Sequence, residues 1–487
     1  MNKALLILAM LLAGAFRAPA QEYFDAARRN FALDGEAVCG LRDSRESVAL
    51  ACGFGRYDFG DFHPSYGSSS VWEAGAESYG MKRLEDFSLI GSFGFSQWMG
   101  EGMCGSMFAE PWRYPIDVLE FTPGRKTRQK YTAAGGFASD LGERWRVGAL
   151  ASFESSNYTK FKDLRYYNYT HDVSVVPGVQ YLGRGFTLGL TLVARKAGET
   201  IHAEQIGDAT HQYYAFLDKG LGRGVLEAWD ASGVKLKEIS GGLPVSEYSF
   251  GGGLQGTLGA ARAELGAEYV FVHVGEEQWN WFNAPGCRLK GSLAYAFGRS
   301  QLRLGGSLQR QRSSEVIQEK RTNTGGITLL STIGSNEIYS RSLASLSARY
   351  NYDSALWQFC GSLEYEGSRE LGYLRAPYSY LSYVGTLTFA ADALRHIGKW
   401  TFGAGLQARA GLSSLETSGS GATEQAPKLD EKYFEADREY RTTPCAGVSA
   451  LARRALPFGL YAELNGYYTT AFSSFRAGAS IILGYNF

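Results

Sequence analysis

The stretch Arg144-Trp-Arg-Val-Gly-Ala-Leu-Ala-Ser-Phe-Glu154 alternates between two kinds of side chain. Every second residue from Trp145 to Phe153 is apolar, and the residues between them are mostly charged, small or polar. A repeat of two is the signature of a β-strand with two different faces. The run is longer than the roughly 5–6 residues typical of strands in globular proteins. Its length suits the roughly 9–11 residues of a tilted strand that crosses a membrane.

The same alternation recurs along the chain, for example in 261–271, 357–366, 399–410 and 458–468. Segments of this kind predict strands that start near residues 46, 68, 85, 127, 143, 171, 185, 244, 261, 286, 300, 338, 355, 379, 397, 442, 458 and 475. The count is about 18 strands, and because the segments near 46 and 68 are the least regular, 16 strands is the alternative.

The predicted connections alternate between short turns and long loops. Short ones such as Gly298-Arg299 carry turn residues, whereas long ones extend over 199–243 and 413–441. This alternation is typical of outer-membrane barrels, which have short periplasmic turns and long extracellular loops. Because lipid cannot hydrogen-bond backbone groups, a membrane-spanning sheet must close on itself. The sequence therefore predicts an all-β fold, a transmembrane antiparallel up-and-down β-barrel over residues 46–487.

Residues 1–20 have the pattern of a secretory signal peptide. Lys3 supplies the positive start, an apolar stretch covers 4–16, and Ala18 and Ala20 are the small residues of a cleavage site after Ala20. The apolar stretch is too short to cross roughly 30 Å of hydrocarbon as a helix. We therefore expect export, a short periplasmic segment over 21–45, and location in the cell outer membrane.

The composition excludes some partners and favours others. Lys+Arg and Asp+Glu each number 49, so the chain lacks the basic excess of a nucleic-acid-binding protein. The 61 Gly, 30 Tyr and 28 Phe suit twisted strands with aromatic girdles at two membrane interfaces. Outer-membrane lipid is therefore an expected partner.

The C-terminal stretch Phe475-Arg-Ala-Gly-Ala-Ser-Ile-Ile-Leu-Gly-Tyr-Asn-Phe487 also alternates. Leu483, Tyr485 and Phe487 share its apolar face. A strand that ends on a terminal Phe resembles the assembly signal of outer-membrane barrels, which implies the barrel-assembly machinery as a partner.

Motifs for cofactors, metals and catalysis give no site. Gly251-x-Gly253-x-x-Gly256 matches the dinucleotide fingerprint, but it lies in a strand–turn–strand pattern without the helix that such a site requires. His202 and His211 share the longest loop, yet no His pair has metal-ligand spacing with Cys. No Gly-x-Ser-x-Gly motif occurs. We expect no cofactor, no metal and no enzymatic activity.

Six dispersed Cys form no Cys-x-x-Cys pair. Cys104 and Cys287 both fall towards the predicted outer side, so whether they pair stays open. Cys360 and Cys445 fall on predicted inward faces.

Charged residues on the inward faces are the best candidates for a functional lining. The alternation places the following residues in the lumen: Arg144, Arg146, Glu154, Arg262, Glu264, Glu268, Arg303, Arg349, Glu364, Glu366, Arg409 and Glu463. Both signs occur, so no simple preference for anions or cations follows. The alternative is that these charges pair across the lumen and fill it.

The residues around Asn30 and Gly40-Leu41, the segment Trp112-Arg113-Tyr114-Pro115 and the final Gly484-Tyr485-Asn486-Phe487 resemble outer-membrane β-barrel proteins of Bacteroidota, a porin-like family without assigned chemistry. The Gly-, Tyr- and Phe-rich strands between them agree with this. The resemblance covers nearly the whole mature chain. It implies a barrel in the outer membrane and brings no substrate or catalytic residues.

A barrel of about 18 strands encloses a lumen wide enough for water unless loops fill it. The leading prediction is a pore or channel for small polar solutes. The second is a structural or surface-interaction barrel whose loops 199–243 and 413–441 bind a surface lipoprotein or a glycan. The third is an outer-membrane hydrolase.

Overall fold

The structure is a computed structural model. It describes residues 39, 42, 47–162, 164–204, 213–222, 224–230, 233–234, 242–276, 279–322, 328–375, 378–418 and 428–486. The predicted signal peptide with Ala18 and Ala20, most of the predicted segment 21–45, His211 and Phe487 lie outside the described residues.

Nearly all described residues belong to strands. In chain order the elements are β1 (Val48–Phe59), β2 (Ser70–Arg83), β3 (Phe87–Ser106), β4 (Asp117–Leu141), β5 (Trp145–Lys160), β6 (Arg165–Leu182), β7 (Phe186–Glu204), β8 (Tyr213–Asp218), β9 (Gly224–Asp230), β10 (Gly233–Val234), β11 (Leu243–Leu258), β12 (Ala261–Glu276), β13 (Trp279–Phe297), β14 (Ser300–Thr322), β15 (Thr328–Asp353), β16 (Trp357–Arg375), β17 (Tyr378–Ile397), β18 (Trp400–Ser418), α1 (Lys428–Thr442), β19 (Cys445–Ala455), a 3₁₀ turn (Pro457–Gly459), β20 (Leu460–Ala471) and β21 (Ser474–Asn486).

Eighteen of these strands form one closed antiparallel ring, which confirms the predicted barrel and its strand number. Each wall strand pairs with its neighbour in the chain, and β7 pairs with β11 across the connection that contains β8, β9 and β10. β1 pairs with β21 from Leu50 opposite Asn486 to Phe59 opposite Ala477, which closes the ring. The two strands predicted with least regularity, β1 and β2, are both members of the wall.

The two ends of the barrel differ, as the connection lengths predict. We call them the turn end, where tight turns join the strands, and the loop end, where the long connections lie. Gly142, Gly298 and Gly398 lie in tight turns with φ of +67°, +60° and +60°. Side chains other than glycine rarely adopt this left-handed conformation.

Several strands continue further towards the loop end than the alternation indicates. β12 and β14 start at the predicted residues, but β4 starts at Asp117 instead of near 127 and β15 at Thr328 instead of near 338. In these extensions neither face has to meet lipid, so the alternation of apolar and polar residues fades.

The outer face of the barrel is an apolar belt with aromatic rings at its margins. Leucines such as Leu265, which is 63% exposed, stand on it. At the turn end, Trp357 stacks on Phe359 and Trp400 on Phe402, with ring centroids 5.5 and 5.7 Å apart. This is the arrangement expected of a surface in contact with lipid and its two interfaces. No helix among the described residues is long and apolar enough to cross a membrane.

The belt allows a direct test. Replacing Leu265, the fifth of the sixteen residues of β12, with Arg is expected to cost about 2–4 kcal/mol of unfolding free energy in lipid vesicles, because the charge meets hydrocarbon. The same change at Leu258, which ends β11 beside a turn, should cost only about 0–1 kcal/mol. Urea unfolding followed by tryptophan fluorescence measures both. Equal small effects at the two positions would contradict a lipid-facing belt.

The inside of the turn end holds part of the predicted segment 21–45. Arg42 is buried there, and its Nε donates to Asp140 Oδ2 at 2.8 Å. Its Nη1 and Nη2 donate to the backbone oxygens of Leu84 and Glu85 at 3.0 and 2.8 Å. Cys39 Sγ lies 3.7 Å from the backbone oxygen of Arg146. These contacts attach the segment to the inner wall.

Candidate functional site

The β3–β4 connection, residues 107–116, folds into the lumen, and we call it the inner loop. Met107 and Phe108 are fully buried, and Tyr114 and Ile116 nearly so. They pack with inward side chains of several wall strands, among them Ile201 of β7. A connection between two strands that could have stayed in solvent therefore contributes to an apolar core inside the loop end.

The inner loop crosses the barrel. It starts and ends at β3 and β4, whereas its tip contacts Arg341 on β15. β4 is the fourth strand around the ring of eighteen and β15 is the twelfth, so the two stand nearly opposite each other. The loop thus lies across the lumen and does not follow one side of the wall.

Arg341 holds the tip by its backbone. Nη1 donates to the oxygen of Trp112 at 2.6 Å, and Nη2 donates to the oxygen of Arg113 at 2.6 Å. Nη2 also donates to Gln311 Oε1 at 2.9 Å, and Nη1 lies 3.4 Å from the oxygen of Tyr114. Bonds from a charged donor are worth about 1.5–3 kcal/mol each, so this buried guanidinium is a strong latch on the tip.

A second latch is ionic. Arg113 of the inner loop lies 3.4 Å from Asp172 on β6 and 3.5 Å from Glu247 on β11. Arg195 on β7 joins the same two carboxylates. Burial alone would raise the pKa of Glu110 in the loop, but Arg113 and Arg128 hold that pKa below its ordinary value. The loop is therefore tied by charge to the wall on the β6–β11 side.

A buried carboxylate fixes the start of the inner loop. Glu199 Oε1 on β7 accepts hydrogen bonds from the backbone nitrogen of Ala109 at 2.8 Å and from Asn168 Nδ2 at 2.6 Å. Asn168 Nδ2 also donates to the oxygen of Met107 at 2.6 Å. These bonds satisfy backbone groups that burial would otherwise leave without water.

Two further elements cover the inner loop. β8 pairs with the start of β4, so that Asp117 lies opposite Asp218. α1 packs against β17 and β18, and its Tyr433 Oη accepts a hydrogen bond from the backbone nitrogen of Ser106 at 3.3 Å. Gly105, at φ +89°, permits this approach because a Cβ there would overlap the Tyr433 ring. The inner loop, β8 and α1 together therefore fill the loop end of the barrel.

The described part of the barrel contains at least three cavities. The outer cavity, about 440 Å³, lies between the inner loop, α1 and the wall strands β13–β16. The side cavity, about 290 Å³, is lined by Glu110, Arg195 and Glu247. The lower cavity, about 630 Å³, lies nearer the turn end. Along β15 the outer cavity meets 339–345 and the lower cavity meets 347–349, so these two follow each other along the lumen.

Trp112 stands at the centre of this arrangement. It lines both the outer and the side cavity. Its φ is +64°, a left-handed conformation that is uncommon for a bulky residue and costs energy. Its carbonyl is the one that Arg341 Nη1 binds. The tip of the inner loop is therefore a strained segment held in place by its partners.

The structure places six of the twelve predicted lumen charges in ion pairs along the wall. These pairs are Arg146 with Asp140, Glu154 with Arg128 and Lys130, Arg262 with Glu264, Glu268 with Arg288 and Lys290, and Glu463 with Arg453.

The remaining predicted charges line cavities or lie elsewhere. Arg303, Arg349 and Glu364 line the lower cavity, and Glu366 lines the outer cavity. Arg409 meets α1, where its Nη2 donates to the oxygen of Tyr440 at 2.9 Å. Arg144 lies exposed in the turn before β5.

In the predicted assembly signal, Leu483 is exposed on the outer face, and Tyr485 pairs with Ala51 and Leu460 in the ladders of β1 and β20. Its role in assembly stays a prediction.

The residues that organise the inner loop escaped the sequence analysis. Arg341 and Glu199 lie on inward faces, yet nothing in their local pattern sets them apart from other inward charges. In the sequence, Trp112 and Arg113 were singled out only within the segment 112–115 that carries the family resemblance, although that segment is a cluster of aromatic and basic residues. That cluster was the available signal, because bulky aromatics in a loop indicate a buried rather than a solvated segment.

The Cys and His residues form no reactive or metal-binding group in the part of the chain that the structure describes. None of the six Cys, all of them among the described residues, forms a disulfide. Cys104 lies near the buried Lys126 and Lys160, whereas Cys287 is exposed on the outer face. His202 stacks on Tyr167 with ring centroids 4.9 Å apart. No three His, Cys, Asp or Glu of the described residues are arranged to hold a metal ion.

Solved structures similar to this one include three barrels. The FrpB iron transporter from Neisseria meningitidis, in its apoprotein form, is 10% identical with a TM-score of 0.44, over 92% of this chain and 83% of that one. The ferric-catecholate import receptor Fiu from E. coli K12, in its open form, is 8% identical with a TM-score of 0.41, over 91% and 82%. The CymD monoaromatic hydrocarbon channel is 12% identical with a TM-score of 0.32, over 94% and 92%.

No protein with a curated description matches the sequence. One family does match it, along residues 39–487, which is every strand of the barrel together with the inner loop and α1. The chain therefore belongs to the family described as "Family of unknown function (DUF6850)".

Proposed function

We propose that this protein is a gated conduit for small polar solutes in the outer membrane, exported with cleavage after Ala20. The observation that carries the proposal is the inner loop, which crosses the lumen from β4 to Arg341 on the opposite wall. A barrel with only a structural role does not require a loop that divides its lumen. A pore that uses the full width of the lumen would not place the loop there.

The contacts of the loop suit a gate. Hydrogen bonds and ion pairs to Arg341, Asp172 and Glu247 hold the tip of the loop and Arg113. Water can replace these polar contacts when the loop moves. Among the described residues, none forms a hydrogen bond with the buried Trp112 Nε1 or Arg341 Nε. Unsatisfied groups and the left-handed Trp112 make the closed state costly, and such features are common in segments with two arrangements.

The lumen beyond the loop suits a polar solute. The lower cavity is lined by Ser, Thr, Asn and Gln side chains together with Arg303, Arg349, Glu364 and Asp392. Hydroxyl, amide and charged groups of both signs can replace the hydration shell of a small polar molecule.

Conductance in planar bilayers tests the proposal. The wild-type chain is expected to show low conductance with brief openings. A variant in which 108–115 is replaced by a short Gly-Ser linker should show a large, steady conductance, because the lumen loses its crossing segment. Heat-modifiable migration on gels controls for correct folding. A folded linker variant that leaves the bilayer sealed would reject the conduit.

A further inference from the structure

The outer cavity has the chemistry of a site for a positively charged ligand. Five carboxylates line it, those of Asp117, Asp218, Glu366, Glu370 and Asp437. Three guanidinium groups line it too, those of Arg288, Arg341 and Arg441. Burial raises the pKa of Asp117 to about 8, so at pH 7 four charged carboxylates face three guanidinium groups, a formal excess of about one negative charge.

The guanidinium groups are largely engaged by other partners. Arg341 binds the inner-loop carbonyls and Gln311. Arg288 pairs with Glu268, outside the cavity lining, and with Gln309. Because Arg288 shares Glu268 with Lys290, this carboxylate offsets part of the charge that Arg288 brings to the cavity.

Asp437 on α1 is the best-placed carboxylate. It is only 5% exposed and lines the cavity. Among the described residues, none donates a hydrogen bond to it and none forms an ion pair with it within 4.0 Å. A carboxylate that is buried without such partners is costly, and a cation in the cavity would supply the missing partner.

Aromatic rings face the same space. Trp112 from the inner loop, Tyr66 from the β1–β2 connection and Phe434 from α1 all line it and are half-buried, so part of each ring reaches the cavity. Ring faces attract cations, and carboxylates combined with aromatic walls are the usual site for quaternary and primary ammonium groups.

We propose that the outer cavity binds a small organic cation, an ammonium ion, between the carboxylates of Asp437 and Glu366 and the rings of Trp112, Tyr66 and Phe434. This proposal adds a ligand class to the proposed conduit. It rests on the proposed function only because it assumes that the solute path includes the outer cavity. Binding itself requires no conduction.

The pH dependence follows from Asp437. Burial, reinforced by Glu370 on β16 and opposed by Arg441, raises the pKa of Asp437 to about 6. Tyr433 on α1 and Tyr66 on the β1–β2 connection also face this carboxylate. Asp437 is neutral below this pKa and charged above it, so cation affinity is expected to rise between pH 5 and pH 7.

Calorimetric titration of the full-length protein in detergent with choline tests the site. The matched ligand is 3,3-dimethyl-1-butanol, in which carbon replaces the quaternary nitrogen and only the charge is lost. We expect choline to bind at least roughly tenfold more tightly than this neutral analogue at pH 7. Equal affinities, or no choline binding by a folded protein, would overturn the proposal.

Two variants test whether choline binds in the outer cavity. Asp437→Asn should weaken choline binding at least roughly tenfold and remove the pH dependence. If this buried change impairs folding, Glu366→Gln serves instead, because Glu366 is exposed to the lumen. The control is Glu439→Gln, two residues from Asp437 on α1 but exposed and outside the cavity lining, which should bind choline as the wild type does. A loss of binding in the control equal to that in Glu366→Gln would place the cation elsewhere.

The two proposals fail separately. If the linker variant conducts and choline does not bind, the conduit is supported and the cation site is rejected. If choline binds as expected and the bilayer with the linker variant stays sealed, the cation site is supported as a receptor site and the conduit is rejected.

Discussion

Replacing Arg341 with glutamine is expected to raise the open probability of the reconstituted barrel by about 100-fold or more. The change removes the two 2.6 Å hydrogen bonds to the carbonyls of Trp112 and Arg113 at the tip of the inner loop. Bonds of this charged kind are worth about 1.5–3 kcal/mol each, and about 1.4 kcal/mol shifts an equilibrium tenfold. Single-channel recording gives the open probability directly.

The control is Arg312→Gln. Arg312 is adjacent to Gln311 on β14 but points away from the lumen, and its side chain is 55% exposed in a loose 3.9 Å pair with Glu337. This variant loses the same charge at the same height of the wall and should gate as the wild type does. Equal open probabilities for Arg341→Gln and the wild type would mean that the tip is not the closing element.

The largest effect on stability is expected for Glu120→Ala. Glu120 on β4 lies between two lysines that are almost completely buried, Lys126 and Lys160. Lys160 Nζ contacts Glu120 Oε2 closely, and Lys126 Nζ lies 3.4 Å from Glu120 Oε1. Removal of the carboxylate leaves two buried ammonium groups without an opposite charge. A broken buried ion pair costs about 3–5 kcal/mol, which we expect as lost protection of the loop end in hydrogen exchange and as a lower urea midpoint.

Glu101→Ala is the matched control for Glu120→Ala. Glu101 on β3 pairs with Arg125 at 2.6 Å, but the two side chains are 46% and 55% exposed. Exposed pairs contribute about 0–1 kcal/mol, so this variant should unfold almost as the wild type does. If the two variants unfold alike, the Glu120 cluster is not buried from water in the folded barrel.

The wall was predictable because lipid imposes a rule on every strand that crosses it. Where one face meets hydrocarbon and the other meets the lumen, residues must alternate, and β12 and β14 start where the alternation starts. The rule ends at the membrane surface. The first ten residues of β4, of which 117–119 pair with β8, carry no such pattern and lie before the strand start predicted near 127.

The candidate site was not predictable because its contacts join distant parts of the chain. Arg341 and Trp112 are 229 residues apart in sequence, and Glu199 and Ala109 are 90 apart. Nothing local distinguishes an inward Arg that binds a crossing loop from one that pairs with its neighbour, as Arg262 does with Glu264. The alternation predicts which face of the strand each residue lies on, but it does not predict which residue from a distant part of the chain contacts it.

The ladder between β1 and β21 has a consequence for how the protein is made. Tyr467 Oη donates to Asp58 Oδ1 at 2.7 Å, and the nitrogen of Phe475 donates to Asp61 Oδ1 at 2.8 Å, across 409 and 414 residues of sequence. This seam can form only after the last strand has left the ribosome and been delivered, so until that moment both edge strands carry unpaired backbone groups. A chain truncated before β21 would therefore keep β1 and β20 as open edges and could not close the barrel.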